Sequence, residues 1–207
     1  MDQRIERAGA LYERAVFGGD VGALAHADRV LDAVEADLAL ARGRVVHARF
    51  LEDRVENPNE LLLFERAAEL YRDLGDERGE AEALFWVGTC HQVLHDDHDT
   101  ALPALRRARE LAERAGDALT LSYVLRHLGF VEQAAGRVDA TRELFLESTR
   151  LRREVGFLPG VAANLVGLAY LTTGDEAARH LDEAAAIAKD CGADGVLRWV
   201  EQARARL

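Results

Sequence analysis

Three histidines lie close together in the segment 90–99, which reads CHQVLHDDHD. His91 and His95 are four residues apart, so a helix places them on one face, and His98 follows among aspartates. Imidazole and carboxylate groups bind Zn²⁺ and similar divalent ions. The HxxxH spacing is also common by chance, and no glutamate lies inside it as in a metalloprotease motif. Two interpretations stay open, a metal site and a solvated loop, and the loop is the simpler one.

A second set of chemically interesting residues is the arginine cluster in the segment 148–160, STRLRREVGFLPG. Arg150, Arg152 and Arg153 lie near the end of a predicted helix. Cations at this end interact favourably with the helix dipole, which is the simplest interpretation. The alternative is a patch that binds an anion.

Motifs that would indicate a specific enzyme are absent from the sequence. There is no P-loop, dinucleotide-binding fingerprint, nucleophile elbow or pair of candidate catalytic carboxylates. The two cysteines, Cys90 and Cys191, are far apart and form no CxxC motif, so we expect reduced thiols in a cytosolic protein. We therefore expect a protein without enzymatic activity and without a cofactor. The alternative, an enzyme whose catalytic groups come from distant helices, stays open.

The charge balance argues against nucleic acid as a direct partner. The chain of 207 residues has a formal net charge of −11, whereas a phosphate-binding face needs a surplus of cations. No apolar run reaches the length of a membrane span, and the N-terminus is charged from its second residue, unlike a signal peptide. We therefore expect a cytoplasmic protein that does not contact membranes.

The elements that must position these residues are helices. Apolar residues recur at helical spacing throughout, with Ala, Leu, Glu and Arg dominant, and strict alternation is absent. This pattern predicts eleven helices, at about 2–17, 20–35, 37–55, 58–74, 77–94, 99–115, 118–135, 138–155, 158–173, 175–190 and 194–206.

Residues typical of helix ends recur at nearly constant intervals. Short polar residues fit the N-cap position at Asp20, Asn59, Asp99, Asp139 and Asp175. Glycines that can close a helix follow at Gly75, Gly116, Gly156 and Gly192, at intervals of 41, 40 and 36 residues. A fixed period of this length indicates stacked helix pairs, because one pair cannot bury its apolar face alone.

A third glycine series lies inside the first helix of each pair, at Gly88, Gly129 and Gly167. Glycine within a helix costs about 1 kcal/mol relative to alanine, so its repetition in register needs a reason. We expect close approach of a neighbouring helix. The second helices show a matching small–large–small rhythm, with Ala101, Leu105, Ala108; Thr141, Phe145, Ser148; and Ala177, Leu181, Ala184.

These residues resemble the tetratricopeptide repeat, which has a Trp/Leu–Leu–Gly–x–x–Tyr run in its first helix and an Ala–x–x–x–Phe–x–x–Ala run in its second. At the positions of the first-helix run this chain has Leu84, Val87, Gly88, His91; Leu125, Leu128, Gly129, Glu132; and Ala163, Val166, Gly167, Tyr170. The period near 40 residues resembles the longer version found in bacterial signalling proteins and transcriptional regulators.

The resemblance implies one all-α domain over residues 1–207, a right-handed α-solenoid of about five helix hairpins and a C-terminal capping helix. Degenerate repeats would occupy 1–57, clear repeats 58–192, and the cap 193–207, where Val196, Trp199 and Val200 would cover the core. His91 would then take the packing position of the repeat's tyrosine.

The resemblance also implies a concave groove lined by the first helix of each pair. The residues placed there are Phe85, Trp86, Thr89, Tyr123, Arg126, His127, Phe130 and Asn164. Such a groove suits an extended peptide or a helix, with Arg126 holding a carboxylate. The alternative for each aromatic residue is a place in the core between repeats.

The leading functional hypothesis is a non-enzymatic module that binds a protein or peptide partner in this groove. A second hypothesis is that a small molecule or metal binds in the same helical cavity, with or without catalysis. A third is self-association as a homodimer, with the degenerate first repeats as the interface.

Overall fold

The computed structural model describes residues 2–207. Over these residues the chain forms ten α-helices and no strand, which confirms the all-α prediction. The chain divides into two compact units, Met1–Asp96 and Asp97–Leu207. The predicted single repeat domain, the handedness of a superhelix and the number of repeats stay predictions.

Unit 1 contains four helices, each packed against the next. They are α1 (Gln3–Gly18), α2 (Ala23–Asp53), α3 (Asn59–Leu74) and α4 (Glu77–His95). The core where α1 meets α2 consists of Ala8, Leu11, Ala23 and Ala27.

Unit 2 contains six helices, and consecutive helices again pack together, with α10 also contacting α8. They are α5 (His98–Ala115), α6 (Ala118–Ala134), α7 (Val138–Glu154), α8 (Leu158–Ala169), α9 (Gly174–Asp190) and α10 (Asp194–Arg204). Phe145, Leu168, Leu181 and Val200 lie in its buried core, which draws on α7 to α10.

The prediction of eleven helices is wrong at one place. The two helices expected at 20–35 and 37–55 are a single helix, α2, of 31 residues. No proline or glycine occurs between Ala23 and Arg42, so nothing in the local sequence interrupts the backbone hydrogen bonds. Helix α8 is also shorter than expected, ending at Ala169 instead of 173.

The predicted glycine ends are confirmed. Gly75, Gly116, Gly156 and Gly192 all have positive φ, between 64° and 74°, which closes the preceding helix. Several N-caps, however, lie before the predicted residues. Helix α5 is capped by Asp97, whose Oδ1 accepts from the Thr100 amide at 2.9 Å, whereas Asp99 lies inside the helix. Asp76 and Asp117 cap α4 and α6 in the same way.

The prediction of close helix approach is confirmed at Gly129 and Gly167. Both glycines face the buried ring of Phe145 on α7, from α6 on one side and α8 on the other. A Cβ atom added at Gly129 would lie 2.7 Å from Phe145 Cδ2, and one at Gly167 would be closer still to the same ring. One aromatic ring therefore occupies the space that two missing side chains leave.

Within residues 2–207, no helix combines the length and the apolar character that crossing a bilayer requires.

Candidate functional site

The candidate site lies in unit 2, where three helices bring two arginines to one amide. Arg126 is on α6, Arg152 on α7 and Asn164 on α8. Arg126 Nη1 donates to Asn164 Oδ1 at 2.7 Å and to the Ala163 carbonyl at 3.1 Å. Arg152 Nη1 donates to the same Asn164 Oδ1 at 2.8 Å. A single neutral oxygen therefore holds two guanidinium groups.

A buried hydrogen-bond network fixes this arrangement. Asn164 Nδ2 donates to Ser148 Oγ at 2.8 Å, and that hydroxyl donates to the Ser122 carbonyl at 2.5 Å. Arg152 Nη1 also donates to the Gly160 carbonyl at 2.8 Å. Arg152, Asn164, Ser122 and Ser148 are all buried. Because both Oδ1 and Nδ2 of Asn164 have partners within this network, its side-chain orientation is set by the fold.

Aromatic rings surround both guanidinium groups. The Arg126 guanidinium carbon lies 5.0 Å from the centroid of Phe130 and 5.1 Å from that of Phe145. The Arg152 guanidinium carbon lies 4.8 Å from the centroid of Tyr123 and 5.6 Å from that of Phe157. Ring faces attract cations, so the aromatic residues partly replace the water that the arginines have lost.

The site carries uncompensated positive charge. Among residues 2–207, no carboxylate pairs with Arg126 or Arg152. Their partners are amide, hydroxyl and carbonyl oxygens and aromatic rings. Burial lowers the pKa of Arg126 to about 9, and the nearby charge of Arg152 adds to this shift. Burial also lowers the pKa of Arg152, to about 10, although Tyr123 opposes the shift. An anion placed here would stabilise both cations.

A cavity of about 340 Å³ opens beside Arg126. Its walls come from α6, α8 and α10, and Phe145 of α7 also lines it. Trp199 and Tyr170, which are 49% and 42% exposed, contribute aromatic surface. The lining residues are Arg126, Phe130, Gln133, Phe145, Ala163, Val166, Gly167, Tyr170, Trp199 and Gln202. The cavity is thus mainly apolar, with one guanidinium and two side-chain amides.

The structure brings together four of the residues that the sequence placed on the binding face. Tyr123, Arg126, Phe130 and Asn164 belong to the arginine network or its aromatic surroundings. His127 lies next to them, with its ring centroid 5.5 Å from that of Phe130. Asn164 is fully buried, so it would act on a ligand only by positioning Arg126.

The three predicted residues of unit 1 lie in a different environment. Phe85 and Thr89 are buried, and Thr89 Oγ1 donates to the Phe85 carbonyl at 2.9 Å. Trp86 is half-buried and stacks on Phe64, with centroids 5.3 Å apart. For Phe85, the alternative interpretation of a core residue therefore describes its position.

Sequence reasoning missed the role of Arg152, which it assigned to a helix end. A signal was present, because Phe145, Ser148 and Arg152 follow the spacing of one helix face. A charged residue on a face that is otherwise apolar and small indicates a buried, hydrogen-bonded charge. Trp199 was expected to cover the core, yet half of it is exposed beside the cavity.

Unit 1 contains a second polar cluster that sequence reasoning missed. Glu60 on α3 is fully buried, and its Oε1 lies 2.7 Å from His47 Nδ1 and accepts from Cys90 Sγ at 3.4 Å. Among the described residues, no group hydrogen-bonds to Glu60 Oε2. Burial and the nearby Glu60 raise the pKa of the Cys90 thiol, which keeps it protonated and unreactive.

The histidines of the segment 90–99 show no metal-binding arrangement. The ring centroids of His91 and His95 are 5.9 Å apart, and His95 Nε2 lies 3.2 Å from Glu56 Oε1. Over the described part of the chain, no three His, Cys, Asp or Glu side chains are placed so that they could hold a metal ion.

Comparison of the chain with models of known protein families, and with curated proteins, found no match.

Proposed function

We propose that this protein is a non-enzymatic binding module, built from repeats of the tetratricopeptide type, that holds a protein or peptide partner through a carboxylate at Arg126. The observation that supports this most strongly is a guanidinium with no carboxylate partner in residues 2–207 at the wall of a mainly apolar cavity. Fixed, forked donors of this kind suit a carboxylate.

The side chains of the cavity wall favour particular chemical groups next to the ligand's carboxylate. Phe130, Tyr170 and Trp199 offer apolar surface, so an aliphatic or aromatic group next to the charge is favoured. Gln133 and Gln202 can each donate to and accept from a peptide bond. The C-terminal residue of a peptide combines these three features, namely a carboxylate, an apolar side chain and an adjacent amide.

A small apolar carboxylate is the second candidate ligand. A volume of about 340 Å³ lies at the lower end of the range for small-molecule pockets, so the cavity suits a molecule of modest size. Arg126 and Tyr170 are the ionisable residues among those that line it. Neither provides a carboxylate or imidazole for general acid–base chemistry at neutral pH, which favours binding over catalysis.

The test compares a library of peptides with free C-termini against the same peptides amidated, by fluorescence polarisation. We expect free peptides with an apolar last residue to bind and amidated ones to bind at least about tenfold more weakly, because a charge-assisted hydrogen bond contributes roughly 1.5–3 kcal/mol. Arg126→Gln should lose the same discrimination, whereas Arg179→Gln, which removes an exposed arginine of α9, should retain it.

Arg126 also stabilises the fold, so a second variant is needed. Trp199→Ala removes a half-exposed wall of the cavity and leaves the arginine network intact. It should weaken binding while circular dichroism stays unchanged. Equal affinity for free and amidated peptides would contradict the proposal. Binding of small carboxylates but of no peptide would favour the second candidate.

A further inference from the structure

Helix α2 carries an exposed apolar stripe with a period of seven residues. Leu24, Leu31, Leu38 and Val45 are 51%, 42%, 52% and 55% exposed. Because seven residues make nearly two turns, these side chains follow one line along the helix. The line requires α2 to be continuous, as it is from Ala23 to Asp53. Such a stripe is typical of a helix that pairs with another helix.

A second row of residues runs beside the stripe and changes sign halfway. The residue four positions after each stripe residue is charged: Asp28 and Glu35 in the first half, then Arg42 and Arg49 in the second. Glu35 already pairs with Arg66, at 2.7 Å. Within residues 2–207, the other three have no salt-bridge partner.

The sign change matches a second copy of the same helix running in the opposite direction. The pairs Asp28–Arg49 and Glu35–Arg42 are centred on the same point, between Leu38 and Ala39. A two-fold axis at that point would place each carboxylate opposite a guanidinium of the other copy. A parallel arrangement in register would bring the acidic half of one row level with the acidic half of the other, so the opposite charges would not pair.

The surface next to the second half of α2 leaves room for a partner. An open cleft of about 650 Å³ lies between α2 and α3, lined by Arg42, Val45, Arg49 and Leu62 among others. Val45 and Leu62 are more than half exposed. This cleft can accept the leucines and the carboxylates from the first half of a second α2.

We propose that the protein forms an antiparallel homodimer in which the α2 helices of two copies pair along this stripe. The pairing uses residues of unit 1 only, so it does not depend on ligand binding at Arg126. The partner is a second copy, because one chain supplies both halves of the charge pattern and the two-fold closes the assembly.

Sedimentation velocity of the full chain over a range of concentrations tests the dimer. We expect a dimer for the wild type and a monomer for Leu38→Asp. The matched control is Leu146→Asp on α7, which changes a leucine of similar exposure, 47%, and should remain dimeric. A wild type that is monomeric at all concentrations, or a dimeric Leu38→Asp, would overturn the proposal.

Charge reversal tests the antiparallel orientation without depending on the leucine variant. Asp28→Arg and Arg49→Asp should each raise the dimer dissociation constant about tenfold, because each creates two like-charge contacts. The two changes combined in one chain should restore the wild-type constant. The antiparallel orientation would be overturned if the double variant had a dissociation constant as high as that of either single variant. It would also be overturned if neither single variant raised the dissociation constant.

Discussion

Asn164 determines the electrostatic character of the cavity, because it offers an amide where a carboxylate would fit. Its Oδ1 accepts from both Arg126 and Arg152, and neither arginine has a carboxylate partner in the described chain. A buried cation without a counter-ion is costly, and the lowered pKa of each arginine reflects that cost. The same lack of a counter-ion leaves Arg126 available to an external anion.

Asn164→Asp should therefore stabilise the protein and impair its binding. The new carboxylate would pair with both guanidinium groups, and charge-assisted hydrogen bonds contribute roughly 1.5–3 kcal/mol. We expect a higher melting temperature and weaker binding of carboxylate peptides, measured by thermal unfolding and fluorescence polarisation. Asn164→Ala is the control, since it should lower both stability and binding. An Asn164→Asp variant that binds as well as wild type would show that the uncompensated charge is not what attracts the ligand.

Helix packing in unit 2 depends on the absence of side chains at particular places. Gly129 and Gly167 lie against opposite sides of the Phe145 ring, and both are helical residues for which alanine has the better intrinsic propensity. The packing requirement therefore outweighs the propensity. The sequence predicted the close approach of a neighbouring helix, because the glycines recur in register. It did not predict that the Phe145 ring fills the space.

Gly167→Ala should destabilise the protein by roughly 1–3 kcal/mol, because its Cβ would overlap the Phe145 ring. In the Phe145→Leu background the same change should cost less, since the smaller side chain leaves space. Gly9→Ala is the matched control: nothing lies within 4 Å of its added Cβ, so alanine should stabilise α1 by about 0.5–1 kcal/mol. Urea unfolding measures all of these differences, and additive costs for Gly167→Ala and Phe145→Leu would contradict the contact.

Helix α2 illustrates a limit of reading elements from sequence. The apolar pattern was divided into two helices where one exists, although no proline or glycine between Ala23 and Arg42 interrupts the helix. The exposed stripe from Leu24 to Val45 becomes meaningful only when the helix is continuous. The error therefore concealed the surface on which the proposed dimer depends.

At the scale of the whole molecule, each compact unit contains one of the two tryptophans. Trp86 lies in unit 1 and Trp199 in unit 2, and the arginine network lies entirely within unit 2. The helices contact mainly the helices next to them in the chain, so a local change affects the stability of nearby helices most. Fluorescence of one tryptophan can then report one unit.

Asn164→Asp should shift the unfolding transition reported by Trp199 more than the transition reported by Trp86. The measurement uses denaturant unfolding of Trp86→Phe and Trp199→Phe chains, each with and without Asn164→Asp. Gly9 lies in unit 1, so Gly9→Ala should shift the transition reported by Trp86 more than the transition reported by Trp199. Identical shifts of both transitions in every variant would indicate that the chain unfolds as a single cooperative body.

The sequence by itself determined the helical class, the glycines that end helices and the need for close approach at Gly129 and Gly167. These features follow from backbone hydrogen bonds and side-chain periodicity over a few residues. Tertiary structure decided that Arg126 and Arg152 share Asn164, that Phe85 is buried, and that Trp199 borders the cavity. Arg126 and Asn164 are 38 residues apart, and the repeat register placed both on one face. Their contact with each other, and the contact of Asn164 with Arg152, depend on how α6, α7 and α8 pack.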